Sequence, residues 1–266
     1  MTDLQIIILG IVQGVSEFLP VSSTAHLVLT PYFFDMPDQG LIFDIAIHFG
    51  SLLAVMLYFA KEVGMMIKGC FDLLLLRTQT PPAKLVKWLL IATIPAGIAG
   101  LLFMQFIADH TRSLMLLGVT SIVFGLLLGV ADKAPAVRGA KYMGWPQALV
   151  FGLFQALAII PGVSRSGITM TAGRIMGFDR VFAARFSFLM SIPIIFLACV
   201  LSLGESAGQN INWQNHTAEI LTGVGVSFVV SWLVIATLLQ LLKRMSFMPF
   251  VIYRVFLGAV LIYLGS

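Results

Sequence analysis

An all-α polytopic membrane protein carrying an inverted-topology repeat is the fold class this sequence predicts, and three observations predict it. The composition, 59% hydrophobic and 11% charged over 266 residues, lies far outside the range of water-soluble domains. Apolar runs of about 18 to 22 residues match the length an α-helix needs to cross about 30 Å of hydrocarbon, and the ten-residue alternation of an outer-membrane barrel is absent. Two polar stretches, Gln13–His26 and Gln155–Thr169, lie 142 residues apart and overlay without a gap.

The overlay sets Gly10 on Gly152, Gln13 on Gln155, Val21 on Val163 and Ser22 on Ser164, and it extends to Phe34-Asp35 on Met176-Gly177 and to 43–48 on 185–190. A single membrane domain over 1–266 is expected, with one repeat at about 1–132 and the other at about 143–266. The copies differ where ionisable groups stand, since Glu17 faces Ile159 and Ser23 faces Arg165. One copy brings an acid and a base, the other a cation.

In chain order, residues 4–33 come first, apolar but broken at Pro20 and again at Pro31 around Ser22-Ser-Thr-Ala-His26. Each arm is short for a crossing, so a re-entrant helical hairpin is expected, its polar tip lining a cavity, because non-helical backbone at membrane depth needs protein or water around it. A span at about 42–60 leads to a basic connection holding Lys61, Lys68, Arg77, Lys84 and Lys87, whose loop is marked by Thr78-Gln-Thr-Pro-Pro82. Spans at about 88–107 and 114–131 flank a turn carrying Asp109, His110 and Arg112. After a loop with Lys133, Arg138 and Lys141 comes the second hairpin, at about 146–173, followed by Arg174, Arg180 and Arg185 and a span at about 183–203. A polar loop at 204–218, a span to about 242, the turn of Lys243 and Arg244, and a last span at about 248–264 complete six spans and two hairpins.

The distribution of charge orients this arrangement. Three crossings per repeat put thirteen of the sixteen Lys and Arg on one face and only Arg112 on the other, which makes the basic face cytoplasmic. Both termini and the first hairpin then face outward, and an odd number of spans per repeat inverts the copies, as in many transporters. The net charge of +4 therefore reflects topology and membrane lipids as partners, and gives no support to nucleic-acid binding. Cys70 and Cys199 are too few and too separated for a disulfide framework or a zinc site and read as packing residues. Met1-Thr-Asp3 leads straight into apolar sequence without a basic leader, so the N-terminus is expected to stay in the fold.

Bringing the tips together assembles Gln13, Glu17, Ser22, Ser23, Thr24 and His26 against Ser164, Arg165, Ser166 and Thr169. Ionisable groups at membrane depth are costly and mark function. The planar fork of Arg165 suits a tetrahedral oxyanion, and Pro161-Gly162 breaks the chain just before it, so backbone N–H groups of a helix start can face the same anion. Ser164, Ser166, Thr169, Ser22 and Thr24 are further phosphate-binding candidates. Gln13 and Glu17 share a helical face and could hold a divalent metal whose shell phosphate completes. His26 is the natural proton carrier, and Ser23 or a water is the nucleophile.

These motifs, Gln13-x-x-x-Glu17 with Pro20-Val-Ser-Ser-Thr-Ala-His26 and Pro161-Gly-Val-Ser-Arg-Ser-Gly-Ile-Thr169, resemble the undecaprenyl-diphosphate phosphatase family, associated with bacitracin resistance, over essentially the whole chain. The resemblance implies a multi-pass enzyme of the bacterial plasma membrane that hydrolyses undecaprenyl diphosphate to the monophosphate and phosphate on the outer side, recycling the carrier for peptidoglycan and other envelope polymers. It implies a divalent cation, Mg²⁺ or Ca²⁺, and bacitracin as a competitor that sequesters the substrate. It implicates Glu17, His26 and Arg165, with Ser23 and Ser164 nearby. The family pattern allows Glu or Gln at the first motif position; with Gln13 here, two carboxylates on the metal are not assumed.

Other polar groups have plainer readings. Asp44 and His48 share one face of the first span, near the outward side, and either touch the site or its metal or make a helix contact. Arg254 is expected to snorkel or pair, and Arg174, Arg180 and Arg185 to flank the cytoplasmic face. Because broken helices in inverted repeats also build secondary carriers, movement of the carrier lipid across the bilayer is the competing function.

Overall fold

The computed structural model describes residues 1–206 and 213–266, and they fold as helices. Helix α1 (Asp3–Ser16) opens with Thr2 and Gln5 in a reciprocal capping box, and α2 (Ser23–Phe34) starts from the Ser22 side chain, which accepts the Ala25 N–H. Helices α3 (Gly40–Tyr58), α4 (Ala60–Leu74), α5 (Pro81–Leu102), α6 (Met104–His110) and α7 (Leu114–Asp132) follow. The second half contains α8 (Trp145–Ala156), prolonged by a 3-10 turn at Leu157–Ile159, then α9 (Arg165–Ile175), α10 (Arg180–Ser206), α11 (Trp213–Leu241) and α12 (Met248–Gly265). Among the described residues six helices, α3, α5, α7, α10, α11 and α12, are long and apolar enough to cross a membrane. The chain is a multi-pass membrane protein.

Three expectations need correction. The first hairpin breaks once, at 17–22, and α2 runs on through Pro31. A proline in a helix frees the carbonyl four residues back; here that is Leu27, and the Gln39 side-chain amide donates to it at 3.5 Å. The basic connection is not simply loop, because α4 folds back on the start of α5, where Gly69 lies against the Pro82 carbonyl and Asp72 accepts from the Thr80 hydroxyl at 2.6 Å. Helix α5 accordingly begins at Pro81 rather than near 88, since Thr80 caps it and two prolines fill its first turn. The polar loop expected at 204–218 is helical at both described ends, and its centre, 207–212, lies outside the described residues.

Close helix contacts are made over small residues, as helices in lipid require. Helix α1 lies along α11, with Gly10 and Gly14 against Val226 and Val230, while α8 lies along α5, with Gly152 against Ala92. Helix α3 meets α11 through Gly50 on the Val224 carbonyl and a buried run of hydroxyls, Ser227 to Ser51 and Ser231 to Ser51, each at 2.9 Å. Helix α10 packs against α3, α5 and α9 and carries the core aromatic Phe188, whose ring meets Phe18 edge-on at 5.2 Å.

The hairpin arms are short. At about 1.5 Å per residue α1 spans about 21 Å and α9 about 17 Å, well under a bilayer's hydrocarbon. The second hairpin returns to the face it came from, because the N–H groups of Val137 and Arg138, just before it, donate to the carbonyl of Gly177, just after it. Overlaid positions share unusual backbone: Ser22 and Ser164 have φ of 75° and 69°, and Asp35 and Gly177 have φ of 48° and 83°.

Candidate active site

The tips of the two hairpins touch. The Ser166 hydroxyl of α9 donates to the Leu19 carbonyl at 2.8 Å, and Arg165 reaches across to Glu17, its Nη2 2.8 Å from Oε1. The same guanidinium donates through Nη1 to the Ser187 carbonyl on α10 at 3.1 Å. The other carboxylate oxygen, Oε2, accepts from Gln13 Nε2 at 3.0 Å and from the Ser23 hydroxyl at 2.9 Å. Glu17 is thus a buried carboxylate with a cation on one oxygen and a serine hydroxyl on the other.

Both tips are held by a residue from neither. Arg254 of α12 is 0% exposed and does not snorkel; it has carbonyls rather than a carboxylate for partners. Its guanidinium donates to Gly162 at 2.9 Å, to Ser121 at 3.2 Å and, more loosely, to Pro20 and Thr120 at 3.5 Å. Thr120 in turn donates from its hydroxyl to the Pro161 carbonyl at 2.7 Å. The three arginines that follow the second hairpin are also engaged: Arg174 is buried among the Phe178, Asp132 and Ala134 carbonyls, Arg180 pairs with Asp132 at 2.6 Å, and Arg185 with Glu62 at 2.5 Å.

A cavity of about 470 Å³ opens beside the tips. Its floor is Glu17, Ser23, Ser164 and Arg165, its wall carries Asp44 and His48, and apolar side chains such as Leu27, Ile45 and Ile195 complete it. At its mouth stand Gln39, Thr111, Arg112 and Ser202, from the chain segments between α2 and α3, between α6 and α7, and near the end of α10. Arg112 pairs with Asp38. Helices α2 and α9 both begin on the floor, capped by Ser22 and Ser164. The first N–H groups of any helix lack an intrahelical acceptor, so two helix starts and one arginine converge on this one cavity, an arrangement suited to an anion.

The predicted site residues divide accordingly. Glu17, Ser22, Ser23, Thr24, Ser164 and Arg165 line the cavity; Gln13 lies directly behind Glu17. Ser166 is committed to Leu19, and Thr169 to the Arg165 carbonyl and the Ser187 hydroxyl, at 2.8 and 2.7 Å. His26 does not line the cavity: Nδ1 sits 2.7 Å from the Ser22 carbonyl and Nε2 2.6 Å from the Tyr253 hydroxyl, with the two rings stacked. Of the two residues left open between site and helix contact, His48 stands with Nε2 3.6 Å from Glu17 Oε2. Ser187, Tyr253 and the clasping role of Arg254 were missed. Only Arg254 left a signal, a lone charge inside an apolar span.

A family model described as bacitracin resistance protein BacA matches residues 6–260. The chain belongs to the BacA family. Curated relatives of this BacA chain include undecaprenyl-diphosphatase 2 of Stutzerimonas stutzeri (strain A1501), 48% identical over 272 residues, covering 99% of this chain and 98% of that protein. Undecaprenyl-diphosphatase 1 of Pseudoalteromonas translucida (strain TAC 125) is 43% identical, with 98% of each chain covered. Undecaprenyl-diphosphatase of Thioalkalivibrio sulfidiphilus (strain HL-EbGR7) is 47% identical, again with 98% of each covered.

Proposed function

We propose that this BacA-family protein hydrolyses undecaprenyl diphosphate to undecaprenyl phosphate and inorganic phosphate, renewing the lipid carrier used for peptidoglycan. The observation that carries the mechanism is the Ser23 hydroxyl 2.9 Å from Glu17 Oε2 on the floor of a cavity shared with Arg165. A nucleophile within hydrogen-bond reach of its base is the signature of covalent catalysis.

The terminal phosphate binds Arg165 and the N–H groups that open α2 and α9. Glu17 takes the Ser23 proton as Oγ attacks phosphorus; the Oγ–P bond forms, the P–O bond to the lipid phosphate breaks, and undecaprenyl phosphate leaves. Water then attacks the phosphoserine phosphorus, its oxygen joining the phosphate as the Oγ–P bond breaks; Glu17 returns its proton to Oγ, restoring the serine, and inorganic phosphate departs with the proton of the water. Arg165 and the helix starts stabilise the charge on the transferring group, which supplies most of the rate. The imidazole of His26, facing Tyr253, supports the α2 start through Ser22 rather than contacting the phosphate.

A divalent cation fits this floor. Gln13 is wholly buried and its Oε1 has no partner, leaving an uncompensated acceptor next to the Glu17 carboxylate. Glu17 and Gln13 would hold Mg²⁺ or Ca²⁺, which would neutralise phosphate charge. The cavity mouth lies on the face that bears Arg112 and lacks the other loop bases, so the reading places it on the periplasmic or extracellular side of the plasma membrane, with re-entrant hairpins in inverted repeats and both termini outward. Bacitracin, by binding the substrate, would compete from that side.

The test is phosphate release from undecaprenyl diphosphate by detergent-purified protein, with Mg²⁺ or with chelator. Release that depends on the ion and disappears in Ser23→Ala, together with an acid-stable phosphoprotein formed by wild type from terminally labelled substrate, is the expected result. Full release by Ser23→Ala would instead assign the attack to water.

A further inference from the structure

Helix α4 has two unlike sides. One packs on the start of α5, where Gly69 meets the Pro82 carbonyl and the Val86 side chain and Asp72 accepts from the Thr80 hydroxyl. The opposite side is apolar and uncovered: Ile67, Phe71 and Leu74, spaced to share one face of a helix, are 57%, 63% and 79% exposed. Gly64 continues this stripe by a turn, with nothing within 4 Å of where its β-carbon would stand. A row of large apolar side chains is a surface that proteins cover rather than leave in water, yet α4 is not one of the six spans.

Bases border the stripe. Lys61 and Lys68, seven residues apart, run along one edge, and Arg77 stands in the turn that follows the helix; all three are exposed. The two carboxylates of α4 are engaged elsewhere, Glu62 with Arg185 and Asp72 with Thr80. Among the described residues none of the three bases belongs to an ion pair. Where α3 breaks into α4, a cleft of about 400 Å³ is lined by Tyr58, Phe59, Lys61, Glu62 and Arg185. Arg185 is held there by the Glu62 carboxylate and the Phe59 ring, 5.1 Å away, so the Lys61 ammonium is the cleft's surplus charge.

We propose that α4 lies in the headgroup zone of one leaflet and is occupied by anionic phospholipid, with Ile67, Phe71 and Leu74 among the acyl chains and Lys61, Lys68 and Arg77 on the phosphates. An apolar stripe edged by basic side chains is the pattern of a helix that rests in a membrane surface, and each such base strengthens attachment to an anionic surface about fivefold. A second copy of the chain fits this face less well, because a two-fold contact would set its bases against themselves. The inference stands apart from the phosphatase reading, since α4 contributes nothing to the cavity beside the hairpin tips.

The experiment uses the full chain in phosphatidylcholine vesicles containing phosphatidylglycerol. Phe71→Cys, in a Cys70→Ser, Cys199→Ala background, carries a bimane label, and Leu74→Cys gives a second probe on the same stripe. Lipids brominated in their acyl chains quench both labels and aqueous iodide quenches neither; bromines on phosphatidylglycerol quench more than the same bromines on phosphatidylcholine. Lys61→Gln together with Lys68→Gln lowers that headgroup preference about fivefold. Quenching by iodide would put the stripe in water, and quenching by neither agent would put it under protein, a second copy included. Either result overturns the proposal, as does equal quenching from the two headgroups or an unchanged preference in the double variant.

Discussion

At the scale of single residues, the site is arranged around the two oxygens of Glu17. Because Oε1 is held by Arg165 and Oε2 by Ser23, neither charge can be removed without stranding the other in a buried setting. Arg165→Ala is expected to lower phosphate release about 10²- to 10³-fold at saturating substrate, and Arg165→Lys to restore little, since an ammonium cannot reach both Glu17 and the Ser187 carbonyl with a fork's geometry. Steady-state kinetics on both variants checks this. Tyr253→Phe removes a single hydrogen bond from His26, worth about 1 kcal/mol, so its release rate should fall by less than about tenfold. A loss as large as that of Arg165→Ala would place His26 in the chemistry. Glu17, Ser23 and Arg165 were legible in the sequence because charge and paired hydroxyls stand out in apolar surroundings. The turn of His26 toward Tyr253 was not, because it depends on a side chain from a helix 227 residues away.

Among the elements, the two hairpins were legible from the overlay, and the positive φ shared by Ser22 and Ser164 shows why that match is strongest at the serines. Each caps a helix immediately after a reversal, so the backbone there is set by local geometry. Helix α4 was illegible because its charges mark a connection while its packing on α5 depends on Gly69 meeting a distant carbonyl. The tip of the second hairpin gives a further expected outcome. Gly162 has φ of 88°, and a β-carbon there would collide with the Thr120 hydroxyl. Gly162→Ala should therefore lower both the melting temperature and activity, whereas Gly64→Ala, where nothing lies within 4 Å, should change neither. Differential scanning fluorimetry in detergent distinguishes the two.

For the whole molecule, the spans were legible from hydropathy, while thirteen basic residues set against one give the sidedness as an expectation. Sidedness can be tested at Thr78, exposed in the α4–α5 turn. In a Cys70→Ser background, Thr78→Cys should resist a membrane-impermeant maleimide in intact spheroplasts and react after permeabilisation. Labelling in intact cells would reverse the orientation. What hydropathy could not convey is how the halves are joined, because the join is made by backbone carbonyls, which no sequence pattern displays.

Arg254 braces that join from α12, the last of the described helices in chain order. Without α12 the carbonyls of Pro20 and Gly162 have no common donor, and the tips keep only the direct contacts of Ser166 with Leu19 and of Arg165 with Glu17. A chain shortened before α12 is therefore expected to insert both hairpins yet hold their tips less firmly, at a cost in activity.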